Sequence, residues 1–336
     1  PASARPAFAA LISLSFRDSF AMSVAMNMIS PKQDRNVALV VGPTASGKSA
    51  LALEIAKKQP SVIINADSAQ VYRDLAILSA RPTEEEMAGI EHELFGYIDG
   101  SEACSAARWA HDAKAAIAQA HDRGLLPVLV GGTGLYVRIL LEGIAPVPEI
   151  DPAIRQDIRK LETLEAYRAL QHLDPVAAER LHAADTTRIQ RALEVVRSTG
   201  RPLDHWQQHK VGGIGDEIKL HPLVMLPPRD WLYERCDRRL QEMLARGAIQ
   251  EVERLVARNL PKNLPVMRAI GVAEFSDWLA GNIDRESAVE RAQAATRQYA
   301  KRQYTWFRNQ SPAKWQRTEQ TLYNEIPDII ETILRP

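Results

Sequence analysis

The chain has 336 residues, 46% of them apolar and 25% charged, with 42 Lys or Arg balanced by 42 Asp or Glu. That composition excludes a low-complexity or strongly polyionic chain and leaves an ordinary globular one, long enough for one large or two moderate domains. No apolar run approaches the roughly 20 residues that cross a bilayer, and Cys104 and Cys236 stand too far apart in sequence for a metal or redox spacing.

Residues 1–34 are rich in Ala, Ser and Met, poor in acids and without periodicity, and are expected to form a disordered leader outside the fold. An organelle-targeting peptide is the alternative reading. From Asn36, NVALVV has the nearly continuous apolar run of a buried parallel strand. It enters Gly42-Pro43-Thr44-Ala45-Ser46-Gly47-Lys48-Ser49, which meets G-x-x-x-x-G-K-[ST] at every fixed position. SALALEIAKK then follows with helical apolar spacing. Such a loop curls so that its N–H groups and the helix N-terminus face anionic oxygens. Lys48 adds a point charge, and the Ser49 hydroxyl is placed for Mg²⁺. The order of elements implies an α/β fold, a P-loop NTPase-like parallel sheet flanked by helices. The loop alone leaves a kinase, an ATPase and a pyrophosphate-releasing transferase open.

A second buried-strand run, Val62 to Ile64, ends at Asp67-Ser68. Strand ends line the ligand crevice of such sheets, so Asp67 should face the loop. It can ligand Mg²⁺, act as a general base or cap the next helix. A third strand runs from Leu125 into Gly131-Gly132-Thr133-Gly134. Its glycines permit close backbone approach to a ligand, or make a tight turn, and Thr133 offers a hydroxyl.

After Gly143 the strand-like runs stop and helical ones begin, which points to an inserted all-helical domain at 146–208. The core is thereby divided into 35–145 and 209–318, with a tail at 319–336. Within the insert, Asp185 should cap TTRIQRALEVVRSTG, Gly200 should end it, and Ile189, Leu193 and Val196 should form its buried stripe. Arg188 and Arg191 lie off that stripe. IKLHPLVML returns as a core strand, and PPRDWLYERCDRRLQEML reads as a helix with Arg235 and Arg239 one turn apart. Two guanidiniums so placed suit a diphosphate, although Glu234 and Asp237 are available to pair them.

From Arg291 to Thr318 there are seven Arg or Lys and no acid, a local patch that matters more to a polyanion than the zero net charge. Arg297, Lys301 and Arg308 are spaced i, i+4 and i+11, within about 40° of one another on a helix. Tyr304 shares that side, with Tyr299 and Trp306 roughly opposite, where they should pack. A basic stripe with an aromatic suits phosphate contact plus stacking on an unpaired base.

GPTASGKS, NADSAQVYRDL, PVLVGGTGLYVRILLEG, TRIQRALEVVRSTG and TRQYAKRQYTWFR, in this order, resemble the tRNA dimethylallyltransferase (tRNA isopentenyltransferase) family from Asn36 to about Arg308. The resemblance implies transfer of a dimethylallyl group from dimethylallyl diphosphate to N6 of the adenosine 3′-adjacent to the anticodon in tRNA. It implies Asp67 as the base, Thr44 near the bridging oxygen, Lys48 on the leaving group and Mg²⁺ at Ser49. Gly42 to Ser49 with Arg235 and Arg239 would hold the diphosphate. The tRNA anticodon stem-loop would meet Asp67, Ser68, Ala69, Gln70, Thr133, Arg155, Thr187, Arg188, Ile189, Gln190, Arg191, Arg268, Arg297, Lys301 and Arg308. A cytoplasmic monomer is implied, with no membrane partner. The strongest rival is a P-loop small-molecule or nucleotide kinase. The sequence departs from the family at Thr187, usually Gln, and Val272, usually Tyr, which leaves the chemistry untouched and bears on tRNA contacts.

Overall fold

A computed structural model describes residues 35–321 and Glu331. The expected leader and most of the expected tail lie outside the described residues. Six parallel strands, β1 (Asn36–Val41), β2 (Ser61–Asn65), β3 (Glu91–Glu93), β4 (Leu126–Gly131), β5 (Lys219–Met225) and β6 (Gln316–Thr318), form one sheet in the order β3-β2-β4-β1-β5-β6. Four of these match the expected strands. The short edges β3 and β6 carry polar sequences, EHE and QRT, that show no apolar run.

Alternation along β1 divides the core. Ala38 and Val40 face α1 (Lys48–Lys58), packing with Leu51, Ala52 and Ile55. Val37, Leu39 and Val41 belong to the larger core on the other side. Full burial of such side chains contributes about 1.5–3 kcal/mol each. A one-turn helix, α2 (Glu84–Met87), precedes β3. The second face is covered by α3 (Ala106–Asp122) and α4 (Gly134–Glu142), where Trp109 stacks on Tyr136 with ring centroids 4.6 Å apart.

The chain then leaves the sheet through five helices: α5 (Pro152–Lys160), α6 (Thr163–Leu173), α7 (Pro175–Arg180), α8 (Thr186–Thr199) and α9 (Leu203–Gln207). The first four enclose a core of their own, with Ile158, Leu170, Ile189 and Leu193 at its centre. As expected, the Asp185 carboxylate caps α8 by accepting the Arg188 N–H at 3.2 Å, and Gly200 ends it in the left-handed region. Departure and return are stitched by an antiparallel bridge between Ile144 and Val211.

Beyond β5 come α10 (Arg229–Ala245), α11 (Ala248–Ala257), α12 (Val272–Leu279) and the 26-residue α13 (Arg285–Gln310). Ala300 of α13 and Leu232 and Cys236 of α10 pack against Ala45 of the phosphate loop. Both helices therefore lie against the C-terminal ends of the strands, where a parallel sheet binds its ligands.

Candidate active site

The loop between β1 and α1 turns through Ala45, a non-glycine residue at φ 61°. That conformation costs roughly 1–2 kcal/mol for an L-residue. Outside help compensates, since Arg235 Nε donates to the Ala45 carbonyl at 2.9 Å while its guanidinium sits 4.6 Å from the Trp231 ring centre. One turn on, Arg239 Nη1 donates to Thr44 Oγ1 at 3.2 Å. Arg235 and Arg239 thus share a face aimed at the loop, and neither pairs with Glu234 or Asp237.

Lys48 Nζ reaches back to the Pro43 carbonyl at 2.6 Å. Burial lowers its pKa to about 8, with the charge of Asp67 opposing and that of Arg239 reinforcing. Burial also lowers the pKa of Arg239. Lys48, Arg235 and Arg239 crowd this space with Asp67 as a facing carboxylate, an arrangement that a multivalent anion would neutralise. Among the described residues, Ser46 Oγ is buried without a hydrogen-bond partner, which fits a loop that completes its bonds on a ligand.

Asp67 follows β2 and lines the space beside the loop. Its Oδ1 accepts the Ala69 N–H at 2.9 Å, and Asn65, fully buried, holds its backbone N–H at 2.8 Å. Thr133 Oγ1 accepts the Ser68 N–H at 2.9 Å and donates to Ser68 Oγ at 3.1 Å, so its hydroxyl ties β4 to the segment after β2. Gln70 donates to the carbonyls of Ser79 and Ala80 at 3.0 and 2.9 Å, and so supports the cavity wall. The glycines of the β4 turn make room for protein groups. A Cβ at Gly132 would collide with the Gln303 amide, and one at Gly134 with the Trp306 ring.

Two cavities meet here. One, of about 540 Å³, is lined by Lys48, Ser49, Gln70, Arg81, Arg235 and Arg239. The other, of about 310 Å³, is lined by Tyr72, Leu78, Cys236, Arg268, Ile270 and Tyr299. Thr44, Asp67 and Arg239 line both. The two cysteines, remote in sequence, wall the same smaller cavity. Burial raises the Cys236 pKa to about 11.

Several expected tRNA contacts have partners within the protein. Ile189 is fully buried in the core of the helical insert and presents nothing to a ligand. Gln190 donates to the Ile158 carbonyl at 3.4 Å. Arg297 is engaged by Asp237, its Nη1 lying 2.7 Å from both carboxylate oxygens, so an acidic partner does exist, on α10 rather than on its own helix. The Tyr304 ring is covered by the Arg229 guanidinium, 4.9 Å from its centre. Arg155 and Arg191, with Arg159, gather around the buried Glu194 carboxylate at 3.9, 3.6 and 3.1 Å. Arg188 lies 3.4 Å from Asp185. Thr187, Arg268, Lys301 and Arg308 are exposed, and Arg268 borders the smaller cavity with Asp67.

Other site residues escaped the sequence reading. Tyr299, read as packing, lines the smaller cavity, and burial together with the charge of Asp67 keeps its phenol well above the usual range. Arg302 lines it as well. Gln303 and Glu251 are buried polar side chains that hold backbone groups of the cavity walls. The signal for Gln303 was present, since a Gln on the buried side of a helix needs partners; their identity was not.

The profile of the IPP transferase family matches residues 70–310. The chain is 60% identical over 300 residues to the tRNA dimethylallyltransferase of Sphingopyxis alaskensis, spanning 89% of this chain and 98% of that one. It is 62% identical over 288 residues to that of Erythrobacter litoralis, spanning 84% and 91%. The crystal structure of the full-length tRNA isopentenylpyrophosphate transferase from Bacillus halodurans superposes with a TM-score of 0.65 at 34% identity, covering 89% of this chain and 95% of that one. A eukaryotic dimethylallyltransferase acting on tRNA superposes with a TM-score of 0.70 at 30% identity, covering 81% and 69%.

Proposed function

The chain belongs to the IPP transferase family, and we propose that it transfers a dimethylallyl group from dimethylallyl diphosphate to N6 of the adenosine 3′-adjacent to the anticodon in tRNA, releasing pyrophosphate. One observation carries this reading: Thr44 and Asp67 belong at once to the basic cavity and to the smaller, aromatic-walled one. A diphosphate in the first and an adenine in the second would react beside both residues. Family membership sets aside the kinase reading.

The C–O bond between the dimethylallyl carbon and the diphosphate breaks, and the pair of electrons leaves with pyrophosphate. Lys48, Arg235 and Arg239 oppose the negative charge that grows there, so they favour the transition state over the ground state. Thr44 Oγ1 already accepts from Arg239, which leaves its own hydrogen for the bridging oxygen. N6 of adenine is a weak nucleophile because its lone pair is delocalised into the ring. Asp67 accepts a proton from it as the N–C bond forms. Extracting the base from its stack costs a few kcal/mol, offset by contacts in the smaller cavity.

Ser49 would hold Mg²⁺ together with diphosphate oxygens. Ser49 lines the basic cavity, and Mg²⁺ is usually bound through one or two protein groups plus substrate phosphates. When bound, the ion would neutralise diphosphate charge. On this reading Arg268, Lys301, Arg302 and Arg308 meet the anticodon stem-loop around the smaller cavity, with Thr187, Arg188 and the Glu194-centred arginines of the insert farther along it. We place the protein in the cytoplasm as a monomer, as the family resemblance implies. No helix among the described residues is long and apolar enough to cross a membrane. Mass spectrometry of nucleosides from tRNA incubated with the protein, Mg²⁺ and dimethylallyl diphosphate should reveal N6-dimethylallyladenosine. Unmodified adenosine throughout would refute the assignment.

A further inference from the structure

The phosphate loop is anchored by a residue from the other end of the chain. Gln303, in the last third of α13 and 5% exposed, accepts the Thr44 N–H on Oε1 at 2.7 Å. Its Nε2 donates to the Gly132 carbonyl at 2.9 Å. One carboxamide therefore bridges the turns after β1 and β4, and the missing Cβ at Gly132 is what lets it in. The α13 helix is itself firmly seated, since Ala300 packs against Ala45, and Phe307 is fully buried.

We propose that Gln303 is a positioning residue of the transfer reaction, holding Thr44 so that its hydroxyl addresses the leaving oxygen of the donor. The inference rests on the transferase reading above. In an anion-binding loop an inward N–H ordinarily serves the ligand. Here the Thr44 N–H is committed to Gln303, so the contribution of Thr44 passes to its side chain. That side chain is oriented twice, by Gln303 through the backbone and by Arg239 at Oγ1. A primary amide is the side chain that offers an acceptor to Thr44 and a donor to Gly132 at once. Glutamate keeps the acceptor but sets an anionic oxygen against the Gly132 carbonyl, while methionine of similar length leaves both backbone groups without a partner.

The test compares the full-length wild type with Gln303→Glu, Gln303→Met, Thr44→Ala and the double variant Thr44→Ala/Gln303→Glu. Single-turnover transfer to tRNA, KM for dimethylallyl diphosphate, tRNA Kd and thermal melting are measured for each. Both Gln303 variants should fold and lose about thirtyfold or more in transfer rate, because small misplacements of reacting groups cost that much. KM and tRNA Kd should stay within about threefold of wild type. The double variant should be no more than about threefold slower than Thr44→Ala, since both changes remove one function. Additive losses, a rate near that of wild type, a loss confined to Kd, or failure of both Gln303 variants to fold would each overturn the proposal. An inert wild type would instead overturn the transferase reading, and this proposal with it.

Discussion

Arg297 of α13 and Asp237 of α10 face each other, with one guanidinium nitrogen 2.7 Å from both carboxylate oxygens. The pair joins the helix that carries Arg235 and Arg239 to the helix that carries Tyr299 and Gln303. Arg297→Ala should therefore act on stability, lowering it by about 1–2 kcal/mol once the partial exposure of both groups is discounted. Denaturant titration measures this. The salt dependence of tRNA binding should keep its slope in Arg297→Ala, whereas Lys301→Ala, on the open side of the same helix, should flatten it by about one. A flatter slope in Arg297→Ala would return that residue to the interface.

Asp67→Asn keeps the shape of the site, including an oxygen for the Ala69 N–H, but removes the proposed proton acceptor. Single-turnover transfer should fall by about a hundredfold or more, while tRNA affinity measured by filter binding stays within a few-fold. Parallel losses in both quantities would argue against the general-base role.

Lys48 titrates near pH 8 in the ligand-free protein, below its ordinary 10.5, because burial opposes its charge. The unfolded chain consequently binds the proton first, so this group makes stability rise with pH between about 8 and 10.5. A diphosphate beside the ammonium favours the charged form, and binding near pH 8 should draw in a fraction of a proton. Calorimetry of pyrophosphate binding, with chelator present and in buffers of different ionisation enthalpy, should show more proton uptake for wild type than for Lys48→Met. Equal uptake in the two proteins would contradict this account.

Glu251 of α11, 4% exposed, receives the N–H groups of Ala76, Ile77 and Leu78 at 2.7, 2.8 and 2.9 Å. These residues wall the two cavities. Glu251→Gln replaces an acceptor with a donor against that row of N–H groups, at a cost of about 1–3 kcal/mol. Hydrogen exchange should accelerate at these three amides while those of β1 and β4 remain protected. Unchanged protection at all three would mean that the loop holds its own shape.

Much of this molecule could be read along the chain. The buried runs of β1, β2, β4 and β5 announce themselves because strand segments covered on both faces are consecutive apolar residues, and the phosphate-loop spacing identifies the first turn. Arg235 and Arg239 were legible as a pair because one helical turn separates them. Failures came where a polar residue is explained by a partner far away in sequence. Nothing local marks Arg297 as the mate of Asp237, Gln303 as the hook under Thr44, or Glu251 as the cap of a loop 173 to 175 residues earlier. Helical angle placed Tyr299 away from the basic stripe correctly, yet could not tell a packed face from the wall of a cavity. Edge strands β3 and β6 carry too few apolar side chains to register.

The turn after β4 puts a further constraint on change. Gly131, Gly132 and Gly134 leave space for the Ala66 backbone, the Gln303 amide and the Trp306 ring in succession. A saturation mutagenesis survey would score these positions as severely as the reactive groups, although each yields to a neighbouring part of the protein rather than to a substrate. Redesign toward bulkier prenyl donors or other bases should leave that tetrapeptide intact and vary Leu78, Met243 or Ile270, apolar side chains that border the two cavities.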